Sequence, residues 1–320
     1  MQNNLFQVTK DKKSGFINNK GQIIIDLVFE GVSSFSEGLA RVFVGDKMGF
    51  IDTNGNFIIQ PKFDMVSDFS ENLAFASLGD KFGYIDKTGN FVIEPFYYSC
   101  SDFKNGYALV MQDVISKGSF IDKSGAIKLD GKNFLVSKYN EGLINCSENG
   151  TWGFIDINGD FIISPTYKYT REFSEGKAAV MPLKINGKIN SKDLYAFINK
   201  ENEIIIPPLY KGADIYFSDG MCAVFDKGYG YINEIGELTI PCEYYLGQNF
   251  SEGLAVVKLN SKDKKYGYLD KNGTVLILPK YTLADSFQNG LASVTIGDKY
   301  ENYAAGYIDK KGNYIWEPTK

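Results

Sequence analysis

One spacing, repeated from end to end, limits the folds open to this chain more than any other property of its sequence. A Gly-aromatic-Ile-Asp/Asn signature, relaxed in a few copies, sets its aromatic at Phe16, Phe50, Tyr84, Phe120, Phe154, Phe197, Tyr231, Tyr268 and Tyr307. A second signature, aromatic-x-(Glu/Asn/Asp)-(Gly/Asn), begins at Phe35, Phe69, Phe103, Tyr139, Phe173, Phe217, Phe250 and Phe287. From each first aromatic to the next second aromatic the distance is 19 residues in seven cases and 20 in one, whereas the return distances run from 14 to 24. A packed segment cannot change length without disturbing its neighbours, while an exposed turn can. The pattern therefore describes a single repeat domain over 1–320 with nine units of about 34 residues. The unit boundaries fall near 1–34, 35–68, 69–102, 103–138, 139–172, 173–216, 217–249, 250–286 and 287–320.

The second unit shows how one repeat is built. Leu39–Val44 alternates and is β-branched, so it reads as a strand. Gly49–Asp52 reads as a second strand, and Asn56–Ile59 as a third that Pro61 should end, because proline has no N–H for a ladder. Glycine at 21, 55, 89, 125, 159, 236, 273 and 312, with Asn202 in the remaining unit, suits the positive φ at the end of a tight hairpin. Asp or Asn at 18, 52, 86, 122, 156, 199, 233, 270 and 309 opens that turn, where its side chain can accept from backbone N–H groups. The chain has 24 Phe and 21 Tyr, and more than half sit at repeat positions, which assigns them to an inter-repeat core. Runs such as Ile23-Ile24-Ile25 and Ile204-Ile205-Ile206 suggest third strands covered on both faces.

No stretch keeps a 3.6-residue period, so the expectation is all-β. An open or gently curved solenoid is the favoured architecture, because the chain begins on a first strand and ends on a third. A closed propeller-like ring is the alternative, since eight or nine units could close.

These units resemble the bacterial WG repeat, also called the KWG repeat. The resemblance rests on Glu-Gly-Leu-Ala-x-Val, then Lys-x-Gly-Phe-Ile-Asp-x-x-Gly-x-x-Ile-x-Pro-x-(Phe/Tyr), and spans residues 5 to 318. The name-giving tryptophan position holds Ser14, Met48, Phe82, Gly118, Trp152, Tyr195, Tyr229, Tyr266 and Ala305, so one unit keeps Trp-Gly. The fourth unit also lacks its proline and has Ser119 for glycine. The resemblance implies a β-rich repeat module with no shared catalytic residues.

Function classes narrow by chemistry. There is no histidine, which removes the commonest general base and every Ser/Cys–His nucleophile. No phosphate loop or dinucleotide fingerprint occurs, so no cofactor is expected. One carboxylate per turn falls far short of a calcium shell. A carboxylate pair of glycosidase type is the strongest enzymatic reading and ranks third. Cys100, Cys146, Cys222 and Cys242 are scattered and read as small apolar residues, not as a disulfide framework or metal site. A net charge of −5 without a basic block argues against nucleic acid and anionic membranes. No window reaches the ~18 consecutive apolar residues of a membrane span, and the first residues lack a signal-peptide pattern. The expected compartment is the cytoplasm.

The turn between the first two strands takes every sizeable insertion, at 185–193, 260–265 and 298–303. Recognition loops of repeat proteins collect on such an edge. The candidate partner-binding residues are therefore Asn186, Lys188, Asn190, Lys192, Lys262, Lys264, Lys299 and Tyr300. The reading is a non-enzymatic scaffold for protein partners, with a glycan- or cell-envelope-binding module as the alternative.

Overall fold

The computed structural model describes residues 4–131, 135–190, 192–212, 216–259, 265–297 and 303–319, and every described element is a strand, turn or bend. Contacts divide the chain into two compact units, Met1–Glu148 with Asp156–Asp160, and Asn149–Ile155 with Phe161–Lys320. In the first unit the opening sheet has three strands, Phe6–Lys10, Lys13–Ile17 and Ile23–Phe29. The next is a four-stranded antiparallel meander of Gly31–Val32, Ala40–Val44, Lys47–Ile51 and Phe57–Phe63. Two further meanders follow, ending at Tyr97 and at Asp130. The second unit contains the same four-strand order in Leu246–Tyr281 and again in Leu283–Thr319.

A short extra strand follows directly on the third. Met65–Val66 leaves one repeat and pairs with Ala74–Ser77 of the next, through Met65↔Ser77 and Val66↔Ala76. Gly31–Val32, Ser99–Cys100 and Leu283–Ala284 pair in the same way with the strand that follows, which ties neighbouring repeats by backbone hydrogen bonds as well as by packing.

The 19-residue lock is a ring contact. Phe50 and Phe69 meet at 4.8 Å between centroids, Tyr84 and Phe103 at 4.8 Å, and Phe16 and Phe35 at 4.7 Å. In the second unit Phe154–Phe173, Tyr231–Phe250 and Tyr268–Phe287 lie at 4.9, 5.0 and 4.9 Å. The pair with 20-residue spacing, Phe197–Phe217, still meets, at 5.2 Å. These distances and tilted planes are those of favourable aromatic pairs. Where the first ring is tyrosine, its hydroxyl donates to a carbonyl of the facing loop: Tyr84 to Ser101, Tyr231 to Gln248 and Tyr268 to Asp285. Burial pushes all three hydroxyls well above the usual tyrosine range.

The proline position corrects the sequence reading. Strand Phe57–Phe63 runs through Pro61, and its counterparts run through Pro95, Pro165, Pro241 and Pro279. Met48 pairs with Phe63 and Phe50 with Ile59, so Gln60–Lys62 bulges opposite Gly49. A bulge needs no ladder N–H from its proline, which is why proline sits inside the strand. The bulge also explains the glycine: a Cβ on Gly49 would meet the Ile59 carbonyl and come within 2.7 Å of the Pro61 nitrogen. In the fourth repeat Ser119 pairs with Asp130 and Phe120 with Leu129 with no irregularity between them. Proline and glycine are lost together there, because without the bulge nothing crowds the facing residue. Ala196, fully buried opposite Pro207 and Pro208, is an exception that the register does not explain.

The apolar third strands are a second correction. They are not covered on both faces: Ile25 is buried while Ile23 and Ile24 are 49% and 47% exposed. Ile59 and Ile206 are likewise buried beside exposed Ile58 and Ile205. Only one residue of each run enters the core, where it meets the turn glycine of the following repeat, as Ile25 meets Gly55 and Ile59 meets Gly89. Cys146 and Cys222 are fully buried, whereas Cys100 and Cys242 are half-buried, and none of the four forms a disulfide.

The second signature proves to be a turn with an added function. Ser36 and Leu39 bridge around Glu37 and Gly38, both at positive φ (51° and 87°), the geometry of a two-residue primed hairpin turn. Ser36 Oγ donates to the Phe69 carbonyl, and Ser70, Ser174, Ser218 and Ser251 repeat the bond into the next repeat. The Glu37 carboxylate accepts from the backbone N–H groups of Glu71 and Asn72, 2.6 and 2.9 Å away, and pairs with Lys87 at 3.2 Å. Glu71 does the same with Gly106 and Lys123, and Glu252 with Gly290 and Lys310. A glutamate in the left-handed region is uncommon. Its carboxylate caps the next repeat's turn, as the shorter Asp219 also does by accepting from the Gly253 N–H at 2.7 Å.

Burial pulls the pKa of Glu37 and of Glu71 upward, but the hydrogen bonds and lysines outweigh it and hold both below the ordinary value. Their contribution is complete above the ordinary glutamate pKa of 4.5 and disappears as pH falls through the lower folded-state value. Urea midpoints measured from pH 7 to pH 3 should therefore be level down to about pH 5 and then fall. Glu71→Gln should cost about 1 kcal/mol at pH 7 and much less at pH 3. An equal cost at both pH values would show that the charge does not matter.

Candidate functional site

The hairpin inserted after strand Ala178–Pro182 is the most elaborated feature on the first-to-second-strand edge. Lys184–Ile185 pairs with Lys188–Ile189, and Asn186-Gly187 makes the turn with φ of 50° and 76°. Asn-Gly is the strongest short sequence signal for this turn, so the hairpin was legible in what the sequence presents as a plain insertion. Its base is fixed by Asn190. That side chain donates to the carbonyls of Pro182 and Leu194 at 3.1 and 2.9 Å and accepts from the Leu194 N–H at 3.1 Å.

The sequence-predicted residues therefore separate. Asn186, Lys188 and Lys192 are exposed on the hairpin and its return, while Asn190 is only 4% exposed and faces the chain, so its role is to anchor the loop. Lys262, Lys264, Lys299 and Tyr300 lie outside the described residues. Asn190→Ala should leave buried carbonyls unmet and cost about 1–3 kcal/mol locally. Hydrogen exchange at the Leu194 amide should accelerate, and unchanged exchange would show that the anchor is dispensable.

Beside the hairpin stands a group that sequence reasoning did not single out. Trp152, in strand Thr151–Ile155, meets Tyr169 at 5.6 Å between rings. The exposed Arg171 guanidinium lies 5.3 Å from the Tyr169 ring centroid. Tyr195 is half-buried; burial raises its pKa, and the nearby Arg171 opposes that rise. Lys168 bonds Asp193 at 2.6 Å, joining this surface to the end of the hairpin loop. The available signal was Trp152, the one retained Trp-Gly, but Tyr169 and Arg171 come from a neighbouring strand end whose register is not readable from spacing. The exposed aliphatics Leu183 and Ile189, at 47% and 78%, complete the surface. The arrangement offers aromatic faces, cations and aliphatic contact, with no nucleophile–base pair among the residues described here.

Elsewhere, the fourth repeat's departure from the pattern opens a cleft of about 280 Å³ bordered by Gln112, Lys117, Ser119 and Asp130. No helix is long and apolar enough to cross a membrane among the described residues.

Comparison with known proteins bears on the fold. A search of curated proteins finds no match. The chain is similar to a crystal structure of the eukaryotic initiation factor over 100% of its own length and 96% of that chain, with a TM-score of 0.67 at 9% identity. It also aligns with AztD from Citrobacter koseri (TM-score 0.44, 11% identity, 99% and 93% covered) and with Kluyveromyces lactis Hsv2 (0.38, 10%, 87% and 96%). At 9% identity the first of these is a likeness of fold alone. The model of the WG containing repeat matches at residues 15–47, 48–82, 82–113, 152–188, 195–228, 229–262 and 266–300, passing over the irregular fourth repeat. With well over half of its length matched in this way, the chain belongs to the WG repeat family.

Proposed function

We propose that this protein is a non-enzymatic repeat scaffold that mediates protein–protein interaction through the hairpin at 183–194 and the aromatic surface beside it. The observation that carries the reading is the hairpin itself. Its base is locked by the buried Asn190, while Ile189 at its far strand is 78% exposed. A drifting surface loop has no reason to combine a fixed base with an exposed aliphatic side chain. Trp, Tyr and Arg are the residues that most often dominate interface energetics, and Trp152, Tyr169 and Arg171 stand together here. The repeats supply a rigid support, which lowers the ordering cost of binding.

The test is an affinity capture from lysate of the source organism with the intact chain and with residues 184–193 replaced by Gly-Asp-Lys, read by quantitative mass spectrometry. One saturable protein partner, lost on trimming, is the expected result. Capture that is unchanged by trimming would overturn the reading. Absence of any enriched protein would also overturn it and favour the glycan- or envelope-binding alternative.

A further inference from the structure

We infer that the hairpin face accepts an acidic, partly apolar peptide segment in extended form; the inference rests on the reading above and specifies the partner's chemistry. The chain as a whole carries a net charge of −5. Against that background the hairpin loop holds Lys184, Lys188 and Lys192, all exposed, with Asp193 as its one acid, and Asp193 is already paired with Lys168. Arg171 adds another exposed cation at the edge of the Tyr169 ring. The local surface is thus positive on a negative molecule, and association is steered by such a local field more than by net charge.

The hairpin register arranges this charge in pairs. Lys184 lies directly opposite Ile189, and Ile185 directly opposite Lys188. Residues directly opposite share a face, and successive residues of a strand alternate between faces. Each face of the hairpin therefore presents one ammonium group beside one isoleucine. An extended segment with the complementary pairing, a carboxylate next to an aliphatic or aromatic side chain, satisfies both groups at once. A basic segment would meet like charge, and a purely apolar one would leave the lysines to be desolvated without partners. Trp152, Tyr169 and Arg171 extend the same chemistry, aromatic surface with a cation at its rim, beyond the hairpin.

The experiment is fluorescence anisotropy with the full chain and two labelled ten-residue probes. One repeats Glu-Glu-Leu-Leu, which sets a carboxylate and a leucine on the same face of an extended chain, and the other has each Glu replaced by Lys. The acidic probe is expected to bind at least about tenfold more tightly than its lysine counterpart and to weaken by a similar factor between 50 and 500 mM salt. The double substitution Lys184→Glu with Lys188→Glu should abolish that preference, and Ile189→Ser should weaken the acidic probe several-fold, with melting temperatures unchanged because all three side chains are exposed. Equal binding of the two probes, or affinity for the acidic probe unmoved by the charge reversal, would overturn the inference. A captured partner that needs the hairpin but ignores the charge reversal would also overturn it while leaving the scaffold reading in place. A partner indifferent to hairpin trimming would instead defeat the scaffold reading itself.

Discussion

Phe69→Ala should destabilise the first compact unit by about 3–5 kcal/mol, the range for truncating a fully buried phenylalanine. Phe69 is 1% exposed and its ring lies 4.8 Å from that of Phe50. Around them pack Leu39, Ile59, Phe63, Val66, Ala74, Ala76 and Ile85, residues drawn from neighbouring repeats. The Phe69 carbonyl also accepts from Ser36 Oγ at 2.6 Å, so the backbone is held in place and cannot collapse into the vacated space. A site that cannot relax sits at the upper end of the cavity cost. Because a repeat array can unfold in parts, the loss should be read from urea unfolding together with hydrogen exchange of the strands flanking the cavity. Inserting one residue between Phe50 and Phe63 should be comparably harmful, because the 20-residue pair Phe197–Phe217 takes its extra residue only after Tyr210, the counterpart of Phe63, whereas the same insertion at Gly45-Asp46 should be almost neutral. A cost below about 1 kcal/mol for Phe69→Ala would mean that the 19-residue lock has another cause.

The second large effect belongs to the glycine that faces the proline bulge. At Gly83 a Cβ would overlap the Ile93 carbonyl and lie 2.7 Å from the Glu94 carbonyl carbon and 2.8 Å from the Pro95 nitrogen. These are backbone atoms in a paired strand, so no rotamer change relieves the clash. Gly83→Val should therefore cost roughly 3 kcal/mol or more, the upper part of the overpacking range. Ser119→Val tests the cause. Ser119 holds the same place in the fourth repeat, where the register is regular and no proline bulges toward it. Its substitution should stay within about 1 kcal/mol. Equal melting shifts for the two variants would show that the bulge does not set the requirement for glycine.

The turns and the repeat period were readable in advance for local reasons. Asp52 Oδ1 accepts from the backbone N–H groups of Asn54 and Asn56, and Gly55 closes the turn at a φ of 85°. Both roles belong to residue type and depend on nothing beyond the turn itself. The bulge at Pro61 was misread because the rule that proline ends a strand is local, whereas the accommodation comes from Gly49 on the partner strand. The Ile23-Ile24-Ile25 run was misread for a related reason: hydrophobic composition does not say how many faces are covered, and only Ile25 meets the next repeat. The glutamates of the second signature looked like ordinary turn residues. Their caps join residues about 34 positions apart, as Glu37 joins Glu71, and only the stacking of repeats brings those groups together. At the candidate surface, Asn186 and Lys188 follow from loop length, but Asn190 turns inward because the loop's own carbonyls need a donor. Tyr169 and Arg171 join Trp152 through strand pairing that no spacing rule encodes.

The most direct test of the account is a paired measurement on the chain whose hairpin 184–193 is shortened to Gly-Asp-Lys: its melting temperature and its binding isotherm with the captured partner. The account predicts a melting temperature close to that of the intact chain, because the ring pairs and glutamate caps lie outside the hairpin, together with loss of measurable binding. Binding retained at full affinity by the shortened chain would contradict it.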